Sequence, residues 1–378
     1  MVDEAAILQR FQEFEASSLS KPYQRQKSAL EKQLCDFLSS VSPPKSISSC
    51  CANDIVKFLI DKDRCGKTVV HSMSCSKQDG CGCPRRLAAG TIDSLLGKLR
   101  AIFNNIGRLN DSNPVAHPRV KHYLKFSREE QAGLAVTPTQ AVPIFFVKFR
   151  QLVTFLRDLI GKSDSLSRVD KYILVRDTLF FVIDFFTGDR ASDLGRLLTS
   201  QVFKLRDREG YLLKFSLTKN LRKGASRPFV LVPYKEPDVC PVAWLGYYLR
   251  VCHLLEIRLA QGYFFRATNR DKSISDRPLV GSAVNNRLRK YLTDASLLSG
   301  ETPHSFRVGL SNTLRMLGCS QEEIAQYLGW QSREMAKHYT RLSDTEGALS
   351  VLEGVVVPGT ASLSQIPVSH PSNLSPIL

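Results

Sequence analysis

The run 135–143, AVTPTQAVP, constrains this chain most, because it sets Pro138 and Pro143 between two long stretches of helical patterning. A proline removes a backbone donor and pushes the residue before it out of the helical region, so no helix continues through such a segment. The segment is therefore read as a linker and domain boundary, and a length of 378 residues suggests two domains. Upstream, residues 1–20 end in SSLSKP and read as a loosely held tail. Residues 24–40 carry Ala29, Leu30, Leu34, Phe37 and Leu38 at helical spacing, until Pro43 and Pro44 stop them. A short helix is expected over 54–61. A longer one opens at Thr91 as N-cap and closes at Gly107, with Ile92, Leu95, Leu96, Leu99, Ile102 and Phe103 as its buried stripe. A fourth runs over about 117–134. Four helices without a clear strand predict an all-α domain over 21–136.

Past the prolines, helices are expected over about 144–160 and 168–186. The period then changes. Residues 202–205, 211–217 and 229–232 are short β-rich runs separated by DREG and NLRKGASRP, and they predict a three-stranded antiparallel sheet. From Pro241 the pattern is helical again to about residue 342, broken at Gly262, Pro278, Gly300 and Gly318. Residues 343–378 offer one short helix candidate, 344–352, and then a Ser/Pro-rich tail expected to be flexible. The expected fold class is mainly α with a small antiparallel β-sheet. An all-α domain is followed by an α+β domain over 137–342.

Charge narrows the partner. Lys and Arg number 52 against 36 Asp and Glu, a formal charge of +16, and neutralising phosphates releases condensed counterions. Nucleic acid is the favoured polyanion, with acidic membrane surfaces and acidic proteins as competing readings. No apolar run approaches the roughly 18 residues that a bilayer span needs. The opening MVDEAAILQRF lacks the basic-then-apolar order of a secretory leader, so an intracellular, soluble protein without a membrane partner is expected.

Five segments of the second half carry chemistry when taken together. TGDRASDLGRLL holds Arg190 and Asp193, LTKN holds Lys219, and HSFR places His304 and Arg307 a helical turn apart. YLGW ends in Trp330, and AKHYTRL holds Tyr339 nine residues further on. Two guanidiniums can clamp the non-bridging oxygens of a phosphodiester as charge builds on them. A phenol can attack phosphorus and keep the bond energy in a covalent link. An ammonium can protonate the leaving oxygen, a histidine can move the nucleophile's proton, and an indole N–H can bond a phosphate oxygen. Asp193 can orient Arg190. Each residue alone has a plain structural reading: Trp330 as core, His304 as a satisfied histidine, and Lys219 as one cation on a solvated basic face with Lys204, Arg206 and Lys214.

In order, spacing and flanking residues these segments resemble the tyrosine recombinase (phage integrase) family. The stretch from His304 past Tyr339 is similar to a Cre-like catalytic domain over about residues 187–354. The resemblance implies a two-domain architecture, an all-α core-binding domain plus an α+β catalytic domain. It also implies site-specific cleavage and rejoining of DNA strands through a 3′-phosphotyrosine, with no cofactor in the chemistry. Tyr339 would be the nucleophile, Arg190 and Arg307 the phosphate clamp, Lys219 the general acid and His304 the acid/base group. Trp330 would bond the phosphate and Asp193 would support Arg190, although the family more often has Glu at that position. It further implies a homo-tetramer on two DNA sites, linked by exchange of the C-terminal helix 344–352.

Between the second and third helices lies a Cys/His-rich loop, 65–83. Within it His71, Cys75, Cys81 and Cys83 supply one imidazole and three thiolates in the spacing H-x3-C-x5-C-x-C. That donor set suits tetrahedral zinc, so a structural zinc is expected, with Cys65 able to replace one ligand. The alternative is a loop of reduced thiols. The segment is similar to Cys/His-rich segments in recombinases of eukaryotic mobile elements of the Crypton and DIRS-like groups, which implies a nuclear location. Candidate phosphate contacts are Arg119, Lys121, Lys125 and Arg128 in the first domain and Arg222, Lys223, Arg287 and Arg289 in the second. Three further readings stand beside the recombinase: a type IB topoisomerase-like activity, a catalytically idle DNA-binding protein derived from a mobile element, and a zinc-dependent protein-interaction module that rests only on residues 65–83.

Overall fold

Leu30, Leu34 and Leu38 recur every four residues, and this spacing lines one buried face of helix α1 (Lys21–Ser40). That face packs with Ile55, Phe58 and Leu59 of α2 (Ala52–Asp63) and with Ile92, Leu96, Leu99, Ile102 and Phe103 of α3 (Ala89–Asn105) in one core. Leu95 lies at its half-buried margin. Helix α4 (Pro118–Gly133) gives that core only Val120, with Tyr123 and Leu124 half-buried, so its long basic face stays outside. Helix α3 starts two residues before Thr91, with Ala88 at the capping position, so Thr91 is not the N-cap that the sequence predicts. The described part of this unit is not purely helical either. A two-stranded antiparallel ribbon, β1 (Thr68–Val69) with β2 (Arg85–Arg86), closes the base of the cysteine loop. Strands of two residues carry no readable alternation.

The computed structural model describes residues 9–10, 21–71, 74–75, 81–133, 141–162, 166–215, 227–330, 335–337, 339–340 and 374–376. It divides into two units, Met1–Thr139 and Gln140–Leu378.

In the second unit, α6 (Arg168–Thr187) is apolar around almost its whole circumference, from Tyr172 to Phe185, as befits a helix packed on every side. It packs against α5 (Phe146–Gly161), α8 (Pro241–Leu254) and α10 (His304–Met316). Phe149 stacks on Phe185 with ring centroids 4.2 Å apart, and Phe181 stacks on Phe306. The short α7 (Ala191–Leu194) follows α6, and α9 (Gly281–Asp294) precedes α10. Strands β3 (Val202–Leu205), β4 (Tyr211–Phe215) and β5 (Arg227–Leu231) form the expected antiparallel meander.

Two features depart from the sequence reading. A hairpin, β6 (Arg266–Thr268) with β7 (Ile274–Pro278), interrupts the region expected to be helical throughout. The open edge of β3 takes a fourth strand, β8 (Leu374–Pro376), from the tail expected to be flexible. An unpaired strand edge presents a row of backbone donors and acceptors, and even three residues can satisfy it. The helix candidate 344–352 lies outside the described residues, as do Lys219, Arg222 and Lys223. Among the described residues, no helix is long and apolar enough to cross a membrane.

Candidate active site

Helix α6 ends where Gly188 turns into the left-handed region, φ +56°, and donates back to Asp184 O at 2.9 Å. Glycine fits here because it alone carries no Cβ penalty in that conformation. The turn delivers Asp189 and Arg190 to the start of α7, where Asp193 stands one turn later, its Oδ2 lying 3.7 Å from Arg190 Nη1. Helix α10 opens at His304, so Arg307 follows it on the same face after one turn. Helix α11 (Gln321–Tyr327), closed at its start by a Ser320/Glu323 capping box, leads into the turn that carries Trp330.

These elements bring six of the seven expected catalytic residues into one place. Tyr339 Oη lies 2.8 Å from His304 Nε2. The Tyr339 ring stacks on Trp330 with centroids 4.7 Å apart, and the Arg307 guanidinium lies over the Trp330 ring, 5.0 Å from its centroid. Arg307 is buried and donates to Gly188 O and, at 2.9 Å, to Leu328 O. Trp330 is likewise buried, in a small cluster with Leu310, Leu314, Ile324 and Leu328. Asn312, which the sequence reading passed over, donates to Tyr339 O at 2.8 Å and so holds the backbone of that residue against α10. An asparagine inside an amphipathic helix carries no signal of such a role.

The site is strongly charged, with Arg307 and Trp330 buried, Arg190 and Tyr339 half-buried and His304 exposed. Burial, with Arg190 next and Arg227 also opposing, lowers the Arg307 guanidinium to about 10, while Asp189 pulls the other way. It therefore stays charged at neutral pH. Burial raises the Tyr339 phenol, against the pull of Arg307 and Arg190, so the resting side chain is neutral. Three carboxylates stand behind the cations. Asp184 is fully buried with neither oxygen hydrogen-bonded, and burial followed by Asp189 holds its carboxyl well above the usual range. Asp189 and Asp193 are also raised, by burial first.

The candidate phosphate contacts divide. Arg119, Lys121, Lys125 and Arg128 are all exposed on α4. Lys121, Lys125 and Arg128 line a cavity of about 520 Å³ with Arg100 of α3. Arg289 is exposed on α9, whereas Arg287 reaches the buried Asp177 carboxylate at 3.4 Å. Tyr291 Oη donates to that same carboxylate at 2.9 Å, so Arg287 serves a buried network in this structure.

In the N-terminal unit, the ligand atoms of His71, Cys75, Cys81 and Cys83 all lie within 4.8 Å of one another. Cys75 Sγ and Cys81 Sγ sit 3.4 and 3.3 Å from His71 Nδ1. A tetrahedral zinc with bonds of about 2.0–2.3 Å sets its ligand atoms roughly 3.5–3.8 Å apart, so these four fit the ion.

Residues 159–346 match the model of the phage integrase family, a span that takes in Arg190, Asp193, Lys219, His304, Arg307, Trp330 and Tyr339. The chain belongs to the phage integrase family of tyrosine recombinases. Among solved structures, this chain resembles the Tn1549 transposon integrase in complex with transposon right end DNA at a TM-score of 0.52 and 14% identity. That match covers 92% of this chain and 98% of the other. It also resembles a lambda integrase dimer bound to a core site at a TM-score of 0.50 and 16% identity, covering 89% and 94% of the two chains. At such identities the likeness is one of fold. The N-terminal part has a second relationship that motif reading did not reveal, since residues 12–129 match the ALOG domain. Two Arabidopsis thaliana proteins, LIGHT-DEPENDENT SHORT HYPOCOTYLS 5 and 8, are 38% and 34% identical over 126 and 116 residues. Those matches span 69% and 71% of the relatives but 31% and 29% of this chain. In rice, G1-like7 is 34% identical over 116 residues, 55% of its length.

Proposed function

We propose that this recombinase cleaves and rejoins duplex DNA through a covalent bond between Tyr339 and a DNA 3′-phosphate. The observation that carries the reading is the hydrogen bond of Tyr339 Oη to His304 Nε2 beside two guanidiniums. Tyr339 Oη attacks phosphorus as its proton passes to His304 Nε2. The bond from phosphorus to the 5′ oxygen breaks, and Lys219 supplies the proton that this oxygen takes up. Arg190 and Arg307 neutralise the non-bridging oxygens during the transfer, which supports chemistry without a metal in the active site. Attack by a 5′ hydroxyl reverses every step and restores the phenol.

Duplex DNA is the proposed partner, held by the exposed cations of α4 and by Arg222, Lys223 and Arg289, and four chains assemble on two sites through residues 344–352. In the N-terminal unit, His71, Cys75, Cys81 and Cys83 hold one structural zinc, which locks the loop above the β1–β2 ribbon. The Arabidopsis and rice relatives of that unit support a eukaryotic source, and a transposition-like role and a nuclear location are proposed beside it. The ALOG match also favours a second reading, in which the N-terminal unit binds DNA in its own right and the chain works without strand cleavage.

The test is to incubate the purified chain in EDTA with duplexes that carry a bridging phosphorothiolate, and to resolve the mixture on a denaturing gel. Accumulation of a covalent protein–DNA band supports the recombinase. Tight binding with no such band on any duplex favours the second reading.

A further inference from the structure

Arg307 is not the only arginine that joins the two turns of the active site. The Thr187–Arg190 turn carries Arg190, and the turn after α11 carries Trp330. Arg307 donates to Gly188 O in the first and Leu328 O in the second. Arg227, the first residue of β5, makes the neighbouring pair of bonds, because its Nη2 donates to Thr187 O at 3.3 Å and to Tyr327 O at 2.5 Å. Two guanidiniums thus tie consecutive carbonyls, 187 with 327 and 188 with 328. Arg227 Nη1 also lies 3.3 Å from Asp189 Oδ1, and that same oxygen accepts from Arg190 N at 3.3 Å. The guanidinium is enclosed: a Cβ at Gly329, φ +63°, would come within 3.1 Å of Arg227 Cδ and Nε.

The two arginines have different prospects. Arg307 spends one N–H on each of its two carbonyls and has to serve the phosphate with the N–H groups that remain. Arg227 has a buried carboxylate partner, and a planar fork with five donors can serve three acceptors at once, which an ammonium cannot. It also stands where the chain returns from the segment that carries Lys219.

We infer that Arg227, oriented by Asp189, is a positioning residue that keeps the Arg190 turn and the Trp330 turn in register while Arg307 also engages the phosphate. The inference rests on the phosphotyrosine reading. Displacing a catalytic group by about 1 Å can cost on the order of a hundredfold in rate without loss of binding.

The test measures both the single-turnover rate of adduct formation and the dissociation constant, on a phosphorothiolate duplex that the unmodified chain cleaves. Arg227→Gln should slow adduct formation about a hundredfold and change the dissociation constant less than about threefold. Arg227→Lys, which keeps the charge, should recover no more than about a tenth of the loss, and Asp189→Asn should fall between the two. Millimolar guanidinium should raise the rate of Arg227→Ala and leave that of the unmodified chain unchanged, a response that a mere loss of stability does not give. A rate within threefold of the unmodified chain in Arg227→Gln would overturn the inference. So would full recovery by Arg227→Lys, or a loss that falls wholly on DNA affinity. Failure of the unmodified chain itself to form an adduct would instead overturn the proposed chemistry, and this inference with it.

Discussion

Tyr339 Oη lies 2.8 Å from His304 Nε2, and both residues belong to one chain. The proposed nucleophile, its proposed proton acceptor, Trp330 and the two arginines proposed to clamp the phosphate are therefore gathered within a single protomer, with Asn312 holding the Tyr339 carbonyl. Burial keeps the phenol protonated at rest, so a base within hydrogen-bond reach is needed before it can attack.

This arrangement predicts cleavage in cis. A mixture of Tyr339→Phe and Arg190→Gln chains holds no protomer with a complete site, and it should form no adduct on a duplex that the unmodified chain cleaves. Adduct at a substantial fraction of the unmodified rate would mean that the tyrosine is delivered to a neighbour's site.

Asp184 makes stability depend on pH in a defined direction. Its folded value is raised, by burial first and Asp189 second, so the folded chain keeps a proton that the unfolded chain releases. The contribution is complete below the unfolded value near 4 and is lost as pH climbs towards the folded value. Each pH unit in that window costs about 1.4 kcal/mol. Asp184→Asn should thus gain on the unmodified chain as pH rises from about 4 to 8, measured as the difference in denaturation midpoints. A difference that stays constant with pH would contradict this.

Gly188→Ala should destabilise the second unit by about 2–4 kcal/mol. The residue sits at φ +56°, and the added methyl would fall 2.4 Å from Leu328 Cδ2 and 2.9 Å from Leu310 Cδ2. Moving Leu328 also moves the carbonyl that Arg307 binds, so adduct formation should fall further than stability alone accounts for. Denaturant titration beside single-turnover cleavage checks both effects.

The cysteine loop should hold about one zinc per chain, measured by elemental analysis of protein purified without chelator. Cys81→Ser should lose most of it and lower the unfolding midpoint of the first unit, since a structural zinc contributes folding free energy directly. Chelation should leave phosphotyrosine formation intact on any duplex that stays bound, because the proposed cleavage chemistry uses no metal.

Much of this was legible in the residues. The stripe from Ile92 to Phe103 and the meander from Val202 announce themselves by period, and Arg190, His304, Arg307, Trp330 and Tyr339 by order and spacing. What escaped is long-range or very short. The β1–β2 ribbon and β8 have two and three residues, too few for alternation to show. The β6–β7 hairpin lies between two helical stretches and is set by Leu198, Tyr263 and Asp276 meeting across the fold. The bridge from Arg227 to Thr187 and Tyr327 joins residues 40 and 100 positions apart, and no local pattern records it. Asp184 reads as an ordinary break in an apolar run until its complete burial is seen.

The central claim is that Tyr339 becomes the residue bonded to DNA. The direct measurement is mass spectrometry of the peptide that keeps a nucleotide adduct after nuclease and protease digestion of the trapped complex. A single modified peptide containing Tyr339 is expected, lost in Tyr339→Phe while duplex binding persists. A nucleotide on any other residue, or an undiminished adduct in Tyr339→Phe, would contradict it.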